Sequence, residues 1–116
     1  MEEKNKPEER LWVCWTTVNT EESAQNLAKI AIESELAVCA QIDQPIESLY
    51  RWNGEVCQDK EFRIWFKVLS PRAEQLRRTV IEAHPYDTPQ WIVIEASNLD
   101  EKYLKWAQEA SNLRRF

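Results

Sequence analysis

The 116-residue chain has one glycine, Gly54, and one histidine, His84. A single glycine excludes any glycine-rich phosphate loop, because such loops need several backbone positions free of side chains. A single histidine excludes a multi-histidine metal cage within one chain. Three cysteines, Cys14, Cys39 and Cys57, stand far apart with no Cys-x-x-Cys pair. That is neither a disulfide framework nor a zinc-finger spacing, and it points to a reducing compartment, the cytoplasm. No apolar run approaches the length of a membrane span, and the charged opening Met1–Arg10 resembles no signal peptide. The net charge of −5 disfavours nucleic acid and anionic lipid as partners, and suits cations.

Against these absences stand six tryptophans and 43% hydrophobic residues, enough for one domain with large rings in its core or at an interface. Residues 1–10 are charged, contain Pro7 and read as a disordered tail; residues 11–112 read as the single domain. Leu11–Thr17 is a short, nearly unbroken β-favouring run, which predicts a buried central strand. Asn19 with Glu22 resembles a capping box, predicting a helix over about Thr20–Glu35 with Ala24, Leu27, Ala28 and Ala31 inward. Leu36–Ile42 reads as a second strand, interrupted at Pro45 and resuming over Ile46–Trp52. Asn53-Gly54 is a type I′ hairpin signal. Beyond it, Lys60–Val68 alternates, with Phe62, Ile64, Phe66 and Val68 on one face and Glu61, Arg63, Trp65 and Lys67 on the other.

Ser70-Pro71 opens a second helix by N-cap and proline at the first turn, with Ala73, Leu76, Val80 and Ala83 inward and His84-Pro85 as its end. Trp91–Ile94 reads as a fourth strand. Asp100 caps a last helix whose stripe is Tyr103, Trp106, Ala107 and Ala110, with a frayed end from Asn112. The order is an α+β, ferredoxin-like βαββαβ sandwich with a C-terminal helix. Right-handed crossovers place the first strand and the long third one in the centre. Helices then cover one face; the open face and exposed edges call for a second copy.

Few side chains are equipped for chemistry. His84 reads either as a metal ligand or base, or as a helix-end residue that complements the helix dipole, the commoner role. Glu61 is either its partner or a solvated strand residue. Cys14 and Cys39 fit as small core hydrophobes, and Cys57, after the hairpin turn, is the more reactive candidate. Tyr50 and Trp52 on the hairpin are either anchors into a neighbouring subunit or packing within their own sheet. No nucleophile–base pair and no cofactor motif stands out, so the expectation is a protein that is not an enzyme and requires no cofactor.

Five blocks in series resemble the CutA divalent-cation tolerance family. They are Trp15–Ala24, Glu35–Ile42, Ser48–Glu55, the His84-Pro85-Tyr86-Asp87-Thr88-Pro89 segment, and Tyr103–Trp106. The resemblance implies a compact homotrimer similar in architecture to PII signalling proteins, and a role in tolerance to divalent metals such as Cu or Zn. It further implies three metal ligands: a carboxylate at Glu61, the histidine at His84, and a cysteine at the position held here by Thr16. Cys14, two residues earlier, is the possible substitute. Without the thiolate, one imidazole and one carboxylate imply weak Cu(II) or Zn(II) binding. The alternative the trimer implies is a PII-like regulatory module that takes a small ligand or a partner protein in its inter-subunit clefts.

Overall fold

The computed structural model describes residues 10–111. Five strands and three helices follow in the order β1 (Leu11–Val18), α1 (Glu21–Glu33), β2 (Cys39–Ile42), β3 (Ile46–Trp52), β4 (Glu55–Leu69), α2 (Ala73–Ala83), β5 (Ile92–Glu95) and α3 (Glu101–Ser111). The antiparallel sheet runs β2-β4-β1-β5, with β3 also on β4. This is the expected α+β, ferredoxin-like arrangement, with β1 and the long β4 in the centre. Their register pairs Trp15 with Trp65 and Val18 with Phe62.

Strand β4 is longer than the alternation of Lys60–Val68 suggested, because its first half belongs to the hairpin with β3. There Ile46 pairs with Glu61 and Tyr50 with Cys57. Strands β2 and β3 flank the same edge of β4. Ile42 pairs with Ile64, and four residues later Ile46 pairs with Glu61, only three residues away. One residue is therefore extra around Pro45, where the chain has no N–H to donate. At the hairpin tip Asn53 and Gly54 both have positive φ, 51° and 79°, as a type I′ turn requires.

Helices α1 and α2 pack their inward stripes, Ala24, Leu27, Ala31, Ala73, Leu76 and Val80, on the sheet face carrying Cys14, Val18, Ile64, Phe66 and Val68. Helix α3 differs from the sequence expectation. It lies on the opposite face, where Ala107 joins Leu11 and Leu69, with Val38, Tyr103 and Leu104 around them. Trp106 is 44% exposed, and Ser111 at the end of the helix is buried. Only the end of that second face is thus covered. Trp15 and Trp65, with ring centroids 4.9 Å apart, remain half-exposed on the rest.

Boundaries shift for local reasons. Thr20, not Asn19, caps α1: its backbone is extended and its Oγ1 accepts from Ser23 N at 3.1 Å. The helix ends early because Glu35 is left-handed (φ 65°), and the N–H groups of Leu36 and Ala37 both turn back to the Ala31 carbonyl, leaving β2 to begin at Cys39. Ser70–Arg72 forms one 3-10 turn ahead of α2, so that Arg72 rather than Ser70 stands at the N-cap position of that helix. Arg10 joins the domain, its carbonyl accepting from Ser70 N at 2.8 Å. The tail reading otherwise falls on residues 1–9, and the frayed end on 112–116, outside the described residues.

Candidate functional site

The site grows from the C-terminal end of α2. Pro85 cannot continue the helix, and His84 leaves it with extended backbone (φ −72°, ψ 139°). The next residues, Tyr86 to Gln90, run past the end of β1. His84 is only 9% exposed. Its ring is not turned onto the helix carbonyls. Nε2 lies 2.9 Å from Thr16 Oγ1, and Thr16 Oγ1 donates to the Gln90 carbonyl at 2.5 Å. On the other side of the ring, Tyr86 N donates to Nδ1 at 3.1 Å. Because Thr16 uses its single proton on Gln90, Nε2 carries the ring proton and donates to Thr16. Burial holds the imidazole below its usual pKa, against smaller opposing effects of the Thr17 backbone and the Glu61 charge. A neutral ring is a poor dipole-complementing cation, so the helix-end role does not describe it.

Tyr86 ties His84 to Glu61. Its hydroxyl donates to Glu61 Oε2 at 2.7 Å. Burial and this bond push the Tyr86 hydroxyl pKa well up, so it stays protonated. Glu61 is 9% exposed, not a solvated strand residue. Strand alternation puts Thr16 on the helix-covered face and Glu61 on the opposite one. Tyr86 therefore bridges the two faces around the end of β1. Two residues back on β4, Tyr50 donates its hydroxyl to Asp59, which lifts the Tyr50 pKa to about 12. The motif-based reading had not picked out Tyr86 and Asp59. The alternation of Asp59 and Glu61 on β4 was the available signal.

The remaining candidates lie apart. Cys14 is fully buried in the core among Val18, Ile64 and Phe66, and burial pushes its thiol up to about 12. A thiol so held supplies no thiolate at neutral pH. Cys39 and Cys57 are half-buried, and all three cysteines are free. Tyr50 and Trp52 are exposed at 40% and 53% on the hairpin.

A divalent ion held by protein alone needs several donors converging on one point. Among the described residues no group of three or more His, Cys, Asp or Glu side chains is placed to hold one. Both His84 nitrogens are already engaged, so an ion at Nε2 must displace its proton and Thr16. The arrangement does not fit a closed tetrahedral site. Glu61 and His84 are the two candidate donors that remain, joined only through Tyr86.

A four-stranded antiparallel core with two helices on one face, a projecting hairpin and one Tyr-bridged histidine–carboxylate pair define a small ferredoxin-like protein. The family model of the CutA1 divalent ion tolerance protein matches residues 12–110. The chain belongs to this family. It is 34% identical over 93 residues to the divalent-cation tolerance protein CutA of Thermus thermophilus, covering 80% of this chain and 90% of that one. It is 32% identical over 111 residues to the chloroplastic protein CutA of Arabidopsis thaliana, covering 96% of this chain and 60% of that longer one. Its fold superposes with a TM-score of 0.84 on the crystal structure of the divalent ion tolerance protein CutA1 from Ehrlichia chaffeensis, at 29% identity, over 88% of this chain and 95% of that one.

Proposed function

We propose that this chain is a divalent-cation response protein that acts as a homotrimer, meeting Cu(II)- or Zn(II)-type ions weakly through Glu61 and His84. The carrying observation is the Tyr86 bridge, which holds a nearly buried carboxylate and a neutral imidazole at one loop. Neutral imidazole and carboxylate are the protonation states a divalent ion needs. The exchange against Thr16 keeps the affinity low. The protein is proposed to catalyse nothing, and the family's name describes tolerance rather than a reaction.

Unpartnered apolar surface supports self-association. Ile92, Val93 and Ile94 of the edge strand β5 are exposed, as are Leu49, Trp52 and Val56 on the hairpin. Clustered exposure of this kind marks an interface. Tyr50 and Trp52 are the proposed anchors. A cytoplasmic setting is proposed from the three free cysteines. No helix of the described residues is long and apolar enough to cross a membrane.

Two measurements test this reading. Light scattering coupled to size exclusion gives a mass near three chains, and a Trp52→Ala variant dissociates at lower dilution factors than the parent. Calorimetric titration with Cu(II) shows weak binding that falls at least tenfold in His84→Gln and in Glu61→Gln. A monomer refutes the assembly; unchanged affinity in both variants refutes the site.

A further inference from the structure

The β3–β4 hairpin is an arm with no core of its own. Strand β3 packs on β4, and none of residues 46–60 is buried. The arm's side-chain hydrogen bonds, Tyr50 to Asp59 and Gln58 to Glu47, stay inside it. A two-stranded ribbon of this kind is marginal alone and twists easily. The joint at its base adds a second soft point. There the extra residue around Pro45 interrupts the ladder where the arm meets the sheet.

Glu61 stands at that joint. It pairs with Ile46 at the base of the arm, and its neighbour Phe62 already pairs with Val18 of β1. The Glu61 carboxylate is nearly buried and accepts the Tyr86 hydroxyl at 2.7 Å. Tyr86 in turn sits on a segment fastened at both ends. Its N–H donates to His84 Nδ1, His84 Nε2 donates to Thr16, and Thr16 donates to the Gln90 carbonyl. Pro85 and Pro89 restrict the backbone between. Elsewhere the arm and this segment line an open cleft rather than a packed contact. A hydroxyl donating to a carboxylate makes one of the stronger hydrogen bonds. The Tyr86–Glu61 bond is thus a strut from a rigid loop to the base of a soft arm.

We propose that Tyr86 is a positioning residue for the hairpin. Its hydroxyl, anchored on Glu61, sets the angle at which the arm leaves the sheet and so preorganises the arm to meet a second copy of the chain. The arm carries Leu49, Trp52 and Val56, all exposed. Docking a surface already held in its bound direction costs less ordering than docking one that swings. Without the hydroxyl, the joint at Pro45 and Glu61 bends freely, and a nearly buried carboxylate loses its tyrosine donor. The inference rests on the self-association part of the proposed function and uses no metal ion.

The test is hydrogen exchange read by mass spectrometry on the full chain, with dissociation on dilution followed by light scattering. Tyr86→Phe removes one oxygen and little else. The expected result is about tenfold faster exchange over residues 46–60, with β1, α1 and α2 as in the parent, and about tenfold weaker assembly. Glu61→Gln keeps an oxygen that accepts the hydroxyl and retains most of the protection. Glu61→Leu loses it, and adding Tyr86→Phe to Glu61→Leu changes nothing further. Parent-like exchange of the arm in Tyr86→Phe overturns the proposal. So does faster exchange spread evenly over β1 and the helices, which marks a general loss of stability. A loosened arm with unchanged assembly overturns the preorganising role. A monomeric parent whose arm loosens in Tyr86→Phe refutes the assembly reading and upholds the strut; an assembled parent whose arm does not loosen refutes the strut alone.

Discussion

The backbone N–H of Tyr86 donates to Nδ1 of His84, and this one bond decides which ring nitrogen carries the proton. With Nδ1 accepting, Nε2 is the donor and Thr16 Oγ1 its acceptor, 2.9 Å away. The histidine that motif reasoning offers as a metal ligand is thus part of a closed chain running from Tyr86 through His84 and Thr16 to Gln90. Any ion that uses it competes with that chain.

Restoring a soft ligand shifts that competition. Thr16→Cys places a sulfur beside His84 Nε2 and leaves the ring without its hydroxyl acceptor. Copper affinity is expected to rise at least tenfold, with a sulfur-to-copper charge-transfer band on adding Cu(II). Thr16→Val is the control: it removes the hydroxyl without adding a ligand and shows no such band. Absorption titration of both variants reads the difference.

The cysteines are expected to differ in reactivity as their burial does. Cys14 is fully buried and its thiol pKa is pushed up to about 12, so it should not react in the folded protein. Cys39 and Cys57 are half-buried. Mass spectrometry after alkylation at pH 7.5 should find at most two labels under native conditions and three in denaturant. A label on Cys14 in the native protein contradicts the core placement.

Asp43 gives the acid limb of stability a defined origin. The Trp65 Nε1–H bond at 2.9 Å, then the Arg63 bond at 2.8 Å, hold its carboxyl below the usual 3.8. The unfolded chain takes up this proton more readily than the folded one. The stabilisation is therefore present above about pH 4 and is lost as pH falls through the depressed folded value. Its side chain is 34% exposed, so screening keeps the contribution to about 1 kcal/mol. Denaturation of Asp43→Asn should show that loss at pH 7 and a smaller difference from the parent at pH 3.

Gly54 tests the hairpin. Its φ of 79° is costly for a side chain, yet a Cβ there would meet nothing within 4 Å. Gly54→Ala should therefore cost about 1 kcal/mol through backbone strain alone. Urea unfolding with an unchanged slope would show it, and a neutral result would place the strain elsewhere in the turn.

Much of the architecture was legible because its signals are local. The alternation from Phe62 to Val68, the Asn53-Gly54 turn, and the helical stripes through Leu27 and Leu76 each arise from side-chain period and backbone preference within a few residues. The 4-residue β2 and the early end of α1 were not. They depend on where the left-handed Glu35 closes the helix, which the composition of Leu36–Ile42 does not reveal. The side taken by α3 was equally invisible. Its stripe states that one face is apolar but not that Leu11 and Leu69 wait on the far side of the sheet.

The same division runs through the site. The sequence alone determined the elements, their order, and the short list of side chains able to carry chemistry, because the chain holds only one histidine and little else of that kind. Only the tertiary structure decided their states. It set Cys14 in the core, locked both nitrogens of His84, and made Tyr86 span from one face of the sheet to Glu61 on the other. Protonation, burial and pairing depend on distances between residues 25 to 68 positions apart along the chain. No local pattern encodes those distances; packing of β1, β4 and the 84–90 segment does.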